Sequence, residues 1–382
     1  MSRFLDGGID TVLVDYLQHL SMDGHYDITL AVCVGMGELE VFLQRIPANV
    51  KVVHLVENEM LTKWLKQKIL RRLPFYVKVY DELVLGPVRR RLIKQRIKYL
   101  AAQNDVIIDF DCCAYSYLQT VTKRKIAWFH FSFDEVMKQN PRRTRRIGHA
   151  LEHYDKVVTI CQAMCDEGAR LFPRLADKLC VIYNAKNQQD MLMRASEPVV
   201  DNRINGTYLL AVERLEESQK DISTLLRAYK LLREQYKVTF PLYILGKGHS
   251  EEELRQLAVS LGLDNDVVFL GFSSNPYPWM LHARMLIHSA KMEGLPTVLI
   301  EGLMLSKLMV STDCPTGPKE ILDEGRAGLL VPVGDGQAMA DAVYRLLTDE
   351  SLQKSVLSCV EQHRLMFTYE ETQRKFNQII KD

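Results

Sequence analysis

The chain of 382 residues contains no uninterrupted apolar run of about 18 residues, the length that spans a bilayer. It also lacks the charged and then apolar start of a secretion signal. Neither sign of charge dominates, because 49 Lys and Arg residues stand against 48 Asp and Glu residues. This balance excludes a strongly basic nucleic-acid binder and a highly charged disordered chain. We therefore expect a globular, cytoplasmic protein in which any charge effect is local.

The eight cysteines show no repeated CxxC spacing, which argues against a disulfide framework or a zinc cage. Cys161 and Cys165 form a lone pair without a neighbouring His cluster, and cysteine is common as a small buried residue. The sequence therefore predicts reduced thiols.

Short runs rich in Val, Ile and Leu alternate with longer helical patterns, which is typical of parallel sheets with crossover helices. A polar stretch from Asn184 to Gly206 separates two such series and is expected to be a linker between two α/β domains. The tail after Glu350 predicts two helices with a break near Arg364–Tyr369. The predicted strands are Ile28–Val34, Val52–Leu55, Val106–Asp109, Ile126–Phe129, Val157–Ile160, Leu179–Ile182, Tyr208–Val212, Leu242–Leu245, Val267–Leu270, Met285–His288, Leu308–Ser311 and Gly328–Val331.

The start of the chain places a glycine loop, Gly7-Gly8, directly before a helical pattern. Only six residues precede this loop, where a full first strand is expected. We expect either a very short first strand or a written start that lies downstream of the true one.

The densest motif runs from Ala290 to Glu301, between a predicted strand and the next helix. Gly294 permits unusual backbone angles, and Pro296 suits a first helical turn because its missing N–H needs no partner there. Free N–H groups at such a helix start bind anions, so a phosphate is expected to dock there. Glu293 would face the group that the phosphate carries, and Glu301 would accept hydrogen bonds from a polar group such as a ribose. The alternative is a plain loop with two solvated acids.

Arg214 and Lys220 follow the first predicted strand of the second domain. Open α/β sheets bind ligands at the carboxyl ends of their strands, where a planar Arg fork and a Lys point charge suit a diphosphate. Taken alone, this pair fits surface charge better. Gly246 marks another tight strand-to-helix loop.

These motifs resemble those of the family-4 retaining glycosyltransferases. Glu293 and Glu301 match the family's Glu-x7-Glu motif, and Arg214 with Lys220 match its Arg-x5-Lys pair, within residues 207–348. The resemblance is weaker in the first half of the chain. There, Gly7-Gly8 resembles the family's glycine loop after the first strand. Trp128-Phe129-His130 resembles the segment that carries the family's histidine in the cleft between the domains, and Val181–Asn184 resembles the strand end that leads to the hinge between them.

Two residues depart from the pattern of this family. Glu213 stands where the family usually has glycine, and Asp10 stands where glutamate is commoner. Neither departure removes the Arg214 and Lys220 pair that suits a diphosphate.

The resemblance implies the GT-B fold, in which two Rossmann-like parallel-sheet domains face each other across a cleft. The first domain, over 1–190, would bind the acceptor and would be joined by a C-terminal helix over about 366–382. The second domain, over 203–365, would bind a sugar nucleotide. Base recognition is expected near Gly246 and Leu270–Phe272.

The implied activity is that of a metal-independent, retaining hexosyltransferase, with front-side attack assisted by the leaving phosphate. It would move a sugar from a nucleotide diphosphate sugar, which we expect to be UDP-linked, to a hydroxyl of a glycan or lipid-linked acceptor. No cofactor is expected, and the implied role is in lipopolysaccharide, capsule or glycolipid synthesis. The implied catalytic residues are His130, Glu293, Arg214 and Lys220. The implied donor-binding residues are Gly8, Arg214, Lys220, Gly246, Phe272, Glu293, Gly294, Leu295, Pro296, Thr297 and Glu301.

A competing motif, Asp109-Phe110-Asp111, has the D-x-D form that holds a divalent metal in other glycosyltransferases. Three-residue patterns are common by chance, and Arg214 and Lys220 already neutralise a diphosphate. We therefore expect no metal.

Local charge points to the acceptor. Between Leu61 and Leu100 there are 12 basic residues against 2 acidic ones, interleaved with apolar side chains. Such a basic, amphipathic stretch predicts contact with an anionic membrane surface at the inner face of a membrane, and a solvated helix face is the alternative. The residues expected on this surface are Lys63, Lys66, Arg71, Arg72, Arg89, Arg90 and Arg91.

Two further functions stay open at the level of sequence. One is a non-catalytic subunit that binds sugar nucleotides and regulates another protein. The other is a synthase or phosphorylase acting on a soluble sugar phosphate, for which the basic face would be a solvated one.

Overall fold

The computed structural model describes residues 1–5, 7–22, 24–70 and 72–381. The chain divides into two compact units. The first comprises Met1–Ile160, Cys165–Ile182 and Lys375–Asp382, and the second comprises Cys161–Met164 and Tyr183–Arg374. The domain boundaries expected at residues 190 and 203 stay predictions.

The described residues contain twelve strands, all paired in parallel. The first unit has one sheet of β1-β2 and another in the order β3-β4-β5-β6. The second unit has a single sheet in the order β12-β11-β10-β7-β8-β9. Each predicted strand is confirmed to within two residues. The strands are β1 Thr29–Val32, β2 Lys51–His54, β3 Val106–Asp109, β4 Arg124–Phe129, β5 Lys156–Thr159, β6 Leu179–Val181, β7 Leu209–Val212, β8 Leu242–Leu245, β9 Val267–Gly271, β10 Met285–His288, β11 Met309–Thr312 and β12 Leu329–Val331.

Helices form most of the connections, because a parallel pair needs a crossover between its strands. A π-helical segment, Asp81–Leu85, joins α3 to α4, and a 3₁₀ turn at Arg364–Phe367 separates α16 from α17 where the break was predicted. The helices are α1 Gly8–Met22, α2 Glu59–Leu70, α3 Phe75–Tyr80, α4 Gly86–Ala102, α5 Tyr115–Leu118, α6 Phe133–Gln139, α7 Pro141–Leu151, α8 Gln162–Leu171, α9 Gln188–Ala195, α10 Ile222–Glu234, α11 Glu251–Ser260, α12 Tyr277–His282, α13 Thr297–Met304, α14 Pro318–Ile321, α15 Gly336–Thr348, α16 Glu350–His363 and α17 Tyr369–Lys381.

The sheet of the second unit sets the place of the site. Its central strands are buried along nearly their whole length, as expected for parallel strands covered on both faces. The strand order reverses between β7 and β10, which lie side by side. Loops that leave the carboxyl ends of two such strands open a crevice where ligands bind in sheets of this kind.

The start of the chain contains no strand within residues 1–5. Its first two residues nevertheless hydrogen-bond to the end of β1, since Cys33 N donates to Met1 O at 2.9 Å and Val34 N donates to Ser2 O at 3.2 Å.

Within the part of the chain that the structure describes, we find no helix with both the length and the apolar character needed to cross a membrane.

Candidate functional site

A buried ion pair lies where β7 and β10 end. The Lys220 ammonium donates to a Glu293 carboxylate oxygen, and both side chains are nearly covered. Burial alone would lower the pKa of Lys220, but Glu293 and Glu213 outweigh burial and raise it. Burial would likewise raise the pKa of Glu293, but Lys220 and His288 lower it to about 2. Both groups are therefore charged at neutral pH.

His288, the last residue of β10, completes this cluster. Its Nε2 lies 3.5 Å from Lys220 Nζ and 3.5 Å from a Glu293 oxygen. Ser311 Oγ donates to Thr312 O at 3.1 Å and therefore accepts from His288 Nδ1, which lies 3.0 Å away. This bond fixes the ring and directs Nε2 at the ion pair.

Glu213, the first residue after β7, adds a second carboxylate to the cluster. It is only 5% exposed, and its Oε1 accepts from Ser289 N at 2.8 Å. Its Oε2 has no hydrogen-bond partner among the described residues. Burial raises the pKa of Glu213, an effect that His288 and Lys220 only partly offset. The residue that departs from the family pattern therefore lies inside the charged cluster.

Replacing Glu213 by glutamine should make the free energy of unfolding less dependent on pH. Because burial raises the pKa of Glu213 in the folded state, the folded wild type binds more of this proton than the unfolded chain does at pH values above the ordinary pKa of 4.5. The wild type therefore loses stability as pH rises from about 4.5, through the raised pKa of the folded state, and the variant does not. Urea unfolding at several pH values measures this difference. Parallel curves for the variant and the wild type would contradict it, and Glu216→Gln in the same loop is the control.

Arg214 is exposed and lies on the loop that leads from β7 to Lys220. Its guanidinium donates to Gln219 Oε1 at 3.0 Å, and Gln219 O accepts from Lys291 N at 2.8 Å. These bonds tie the loop of the Arg-x5-Lys pair to the loop that carries Glu293. The structure brings Lys220 and Glu293 into contact and leaves Arg214 at the rim.

Two glycines bring the loop after β8 against the loop after β7. A Cβ on Gly246 would lie 1.8 Å from Glu213 O, and one on Gly248 would lie 2.2 Å from Leu215 O. No side chain fits at either position. Beyond β9, the exposed ring of Phe272 lies 4.8 Å from Lys247 Nζ, a cation–π contact. Gly246 and Phe272 thus lie on loops at the carboxyl ends of neighbouring strands.

The segment from Gly294 to Thr297 leads into α13, as predicted. Pro296 lies at the position just before the first residue of the helix, and Leu295 is buried. Gly317 packs on this turn, since a Cβ there would lie 2.6 Å from Gly294 O. The first N–H groups of α13 have no acceptor within the helix itself, so this turn can hold an anion.

Glu301 lies in α13 and faces a cation that the sequence did not reveal. Lys186, buried and just beyond β6 in the chain, places its Nζ 3.0 Å from Glu301 Oε1. Both residues belong to the second unit. Glu301 is therefore a buried, paired carboxylate and not a solvated acid.

His130 and Gly8 belong to the first unit. His130 follows β4, and its Nε2 donates to Phe110 O at 2.7 Å. Burial lowers the pKa of His130 to about 4, so the ring is neutral at pH 7 and Nδ1 carries the lone pair. Gly8 begins α1, where Asp10 accepts from Gly7 N at 2.9 Å.

The D-x-D motif lies at the end of β3. Asp109, Asp111 and Cys113 place their ligand atoms within 4.8 Å of one another. Asp109 accepts hydrogen bonds from Cys113 N at 3.1 Å, from Ala114 N at 3.0 Å and from Tyr154 O–H at 2.5 Å. Asp111 accepts from Ser2 N at 2.7 Å. Protein donors thus engage both carboxylates.

The basic stretch forms α2, α3, the π-helical segment and α4. Lys63, Arg72, Arg90 and Arg91 are exposed and Lys66 is half-buried. Arg71 lies outside the described residues.

The prediction for Arg89 is wrong. Arg89 is only 7% exposed and donates to both Asp81 carboxylate oxygens, at 2.6 and 2.9 Å, and to Leu61 O at 2.8 Å. The turn of α4 directs Arg89 inward while its two neighbours face solvent.

Residues 206–349 match the model of the family described as Glycosyl transferases group 1. The matched segment contains the cluster of Lys220, His288 and Glu293. It also contains Glu301, the ion-pair partner of Lys186. The resemblance to the glycosyltransferases noted in the sequence is confirmed, and the chain carries a glycosyltransferase group 1 segment.

Two bacterial relatives illustrate the similarity. A Campylobacter jejuni protein named N-acetylgalactosamine-N,N'-diacetylbacillosaminyl-diphospho-undecaprenol 4-alpha-N-acetylgalactosaminyltransferase is 32% identical over 182 residues, covering 47% of this chain and 48% of the relative. The lipopolysaccharide 1,6-galactosyltransferase of Escherichia coli K12 is 25% identical over 270 residues, covering 67% and 70%. The chain spans about half the length of the first curated relatives, 48% and 59%.

Solved structures show the fold. Anabaena Alr3699/HepE in complex with UDP superposes with a TM-score of 0.76 at 17% identity, covering 100% of this chain and 98% of that one. The lipopolysaccharide outer core galactosyltransferase WaaB superposes with a TM-score of 0.69 at 17% identity, covering 99% and 97%. The chain has the GT-B fold, as the resemblance implied.

His288 and Lys186 were not assigned to the site from the sequence, and Glu213 was named there only as a departure from the family pattern. His288 ends a predicted strand whose carboxyl end faces the crevice. This position at the strand end could have identified it as a site residue. Lys186 offered no signal, because it lies in the linker, far along the chain from Glu301.

Proposed function

We propose that the chain is a retaining, metal-independent hexosyltransferase that uses a UDP-linked sugar as donor. The observation that supports this most is the contact of Lys220 with Glu293 and His288 at the strand-order reversal of a glycosyltransferase group 1 segment. A cation held there by buried carboxylates suits a diphosphate, and the α13 N-terminus adds a second anion site.

Each charged group has a proposed role. Lys220 and Arg214 neutralise the donor diphosphate, with the negative charge of the leaving group growing in the transition state. Glu293 contacts the transferred sugar. Glu301 accepts hydrogen bonds from the ribose, and Lys186 holds the Glu301 carboxylate in place. Gly246 and Phe272 border the nucleobase. Because Glu293 already pairs with Lys220, the diphosphate shares this cation with the carboxylate.

The proposed chemistry uses front-side attack. The leaving diphosphate accepts the proton of the acceptor hydroxyl as the new glycosidic bond forms, so the anomeric configuration is retained. His130 is neutral, and its Nδ1 accepts a hydrogen bond from the donor sugar. No metal takes part in this scheme, since fixed cations stabilise the leaving group.

For the acceptor, we propose a glycan or a lipid-linked glycan in cell-envelope synthesis. The name of the Campylobacter jejuni relative includes diphospho-undecaprenol, and the name of the Escherichia coli relative includes lipopolysaccharide. We further propose that the protein acts in the cytoplasm, at the inner face of a membrane.

The surface of α2 to α4 supports the membrane proposal. Phe75 is 81% exposed, Tyr76 is 74% exposed and Leu83 is 71% exposed. Exposed cations flank these side chains, with Arg72 before them and Arg90 and Arg91 after them. Apolar side chains enter the acyl boundary of a bilayer, and each cation adds about 1 kcal/mol near anionic lipid. An anionic bilayer matches both features.

Binding of the donor tests the proposed function. We expect one class among UDP-, GDP-, ADP- and CMP-linked sugars, the UDP class, to raise the melting temperature with EDTA present. At 100 times the dissociation constant, bound donor adds about 2.7 kcal/mol of stability. Arg214→Ala should weaken this effect, and Arg203→Ala on the same unit is the matched control.

Three outcomes would count against parts of this proposal. No shift with any donor contradicts the sugar-nucleotide site. A shift that requires Mg²⁺ or Mn²⁺ returns the metal role to Asp109 and Asp111. A donor-induced shift with no turnover on any acceptor favours a non-catalytic subunit.

Replacing Phe75 and Tyr76 by serine should weaken membrane binding. We expect at least a tenfold loss of affinity for vesicles that contain anionic lipid, because two aromatic side chains no longer enter the bilayer. Co-sedimentation with vesicles measures this. Val200→Ser is the control, because Val200 is 99% exposed on the second unit. Equal binding by both variants, or equal binding to neutral vesicles, contradicts the membrane proposal and favours a soluble acceptor.

A further inference from the structure

His288 places a group that can change its charge near neutral pH inside the charged cluster. Histidine is the side chain whose charge changes most readily in this range. The His288 residue is only 2% exposed and ends β10, at the carboxyl edge of the sheet. The proposed donor contacts make no use of its ring.

The hydrogen bonds of this ring leave Nε2 as an acceptor. Ser311 Oγ accepts the N–H of Nδ1, so in the neutral ring Nε2 carries the lone pair. Nε2 lies 3.5 Å from Lys220 Nζ and 3.5 Å from a Glu293 oxygen. A neutral ring therefore faces the ammonium as an acceptor, whereas a protonated ring would face the carboxylate as a donor.

The other titratable groups of the cluster come from three loops. Lys220 and Glu213 follow β7, Glu293 follows β10 and Cys314 follows β11. Their charges act on one another, and burial raises the pKa of the Cys314 thiol to about 12, so this thiol stays protonated at neutral pH. Lys220 and Glu293 are both charged and cancel. With a neutral His288, the cluster therefore offers an anion no surplus of positive charge.

We propose that donor binding is coupled to the uptake of a proton at His288 Nε2. This inference rests on the proposed function, in which Lys220 binds the diphosphate of the donor. A diphosphate diester is a dianion, and it draws the Lys220 ammonium away from Glu293. A buried carboxylate that loses its cation is strongly destabilised.

The imidazolium of His288 replaces the cation that Glu293 loses. It donates its new N–H to the Glu293 carboxylate and adds a positive charge beside the diphosphate. The proton comes from the buffer and returns to it when the diphosphate leaves. His288 is thus a positioning residue, because it holds Glu293 and does not touch the donor.

Calorimetric titration of the full chain tests this coupling. UDP-glucose and UDP-N-acetylgalactosamine are the probes, since the diphosphate of a UDP-linked sugar does not titrate near neutral pH. The titrations use PIPES and Tris at one pH, because the two buffers differ in their enthalpy of ionisation. We expect roughly half a proton or more to be taken up per bound donor, and Kd to rise by up to about tenfold per pH unit above neutral pH.

His288→Gln identifies the group that takes up the proton. Glutamine keeps an N–H near the position of Nε2 but does not titrate. We expect this variant to bind donor within about tenfold of the wild type, the change that one hydrogen bond accounts for, with equal heats in both buffers. His282→Gln is the matched control, because His282 is exposed on α12, before the amino end of β10, and should keep the uptake.

Two results would overturn this inference alone. One is donor binding by the wild type with the same heat in both buffers. The other is uptake that persists in His288→Gln and disappears in Glu213→Gln, because the proton then goes to Glu213. NMR of histidine-labelled wild type needs no variant and should show one ring becoming an imidazolium as donor binds. If the wild type binds neither probe, the proposed function fails, and this inference fails with it.

Discussion

Replacing Lys220 by methionine should lower kcat/KM for sugar transfer about 100- to 1,000-fold, the loss typical when one fixed group that stabilises developing charge is removed. Lys220 is buried, its pKa is raised, and it contacts Glu293 and lies near His288. Without this cation, the leaving diphosphate of the proposed reaction loses a charge partner whose side chain is buried. Steady-state kinetics with a UDP-linked donor measure the effect.

Lys291→Met is the matched control for this prediction. Lys291 lies on the same loop as Glu293 but is exposed, and its Nζ lies 3.3 Å from Glu217 and 3.6 Å from Asp221. We expect its loss to change kcat/KM by less than about threefold, as for an exposed ion pair. Equal kinetics for the two variants, with both folded, would show that the buried cation does not act on the donor.

Replacing Lys186 by methionine should destabilise the fold by about 3–5 kcal/mol, because it leaves the buried Glu301 carboxylate without its cation. The two side chains are 4% and 11% exposed, and their charged atoms lie 3.0 Å apart. Urea unfolding measures the loss. A second substitution, Glu301→Leu in the same chain, should restore most of the stability, since an apolar pair often replaces a buried ion pair without cost.

The restored double variant separates structure from binding. It should fold and yet lose donor affinity, because Glu301 is proposed to bind the ribose. Arg203→Met is the control, since the ion pair of Arg203 with Asp201 is largely exposed and its loss should cost less than about 1 kcal/mol. A small loss for Lys186→Met, similar to that control, would contradict the account of this pair.

The strands were predictable because each is a short apolar run whose burial needs no knowledge of its neighbours. Met285–His288, for example, is buried at every residue, and its bounds follow from the sequence alone. Lys220 and Glu293 were each named as site residues, since each follows a predicted strand and carboxyl ends of parallel strands meet at one edge, but their direct contact was not predicted.

Partners that the fold brings together from distant segments were not predictable. Lys186 belongs to a polar linker, and nothing in its surroundings points to Glu301. Arg89, Arg90 and Arg91 are identical in the sequence, yet only Arg89 turns inward to Asp81, because the helix rotates each successive side chain by about 100°. The net charge of a run of residues can be counted from the sequence. Which of its side chains face solvent and which turn inward depends on the residues that pack against the helix.

Transfer itself tests the central claim most directly. The full chain is incubated with a UDP-linked hexose and an undecaprenyl-diphosphate-linked glycan in the presence of EDTA, and NMR of the product gives its anomeric configuration. The account predicts an extended glycan with the configuration of the donor sugar, and a strongly reduced yield for Lys220→Met. A product of inverted configuration, or UDP release without extension of any glycan, would contradict it.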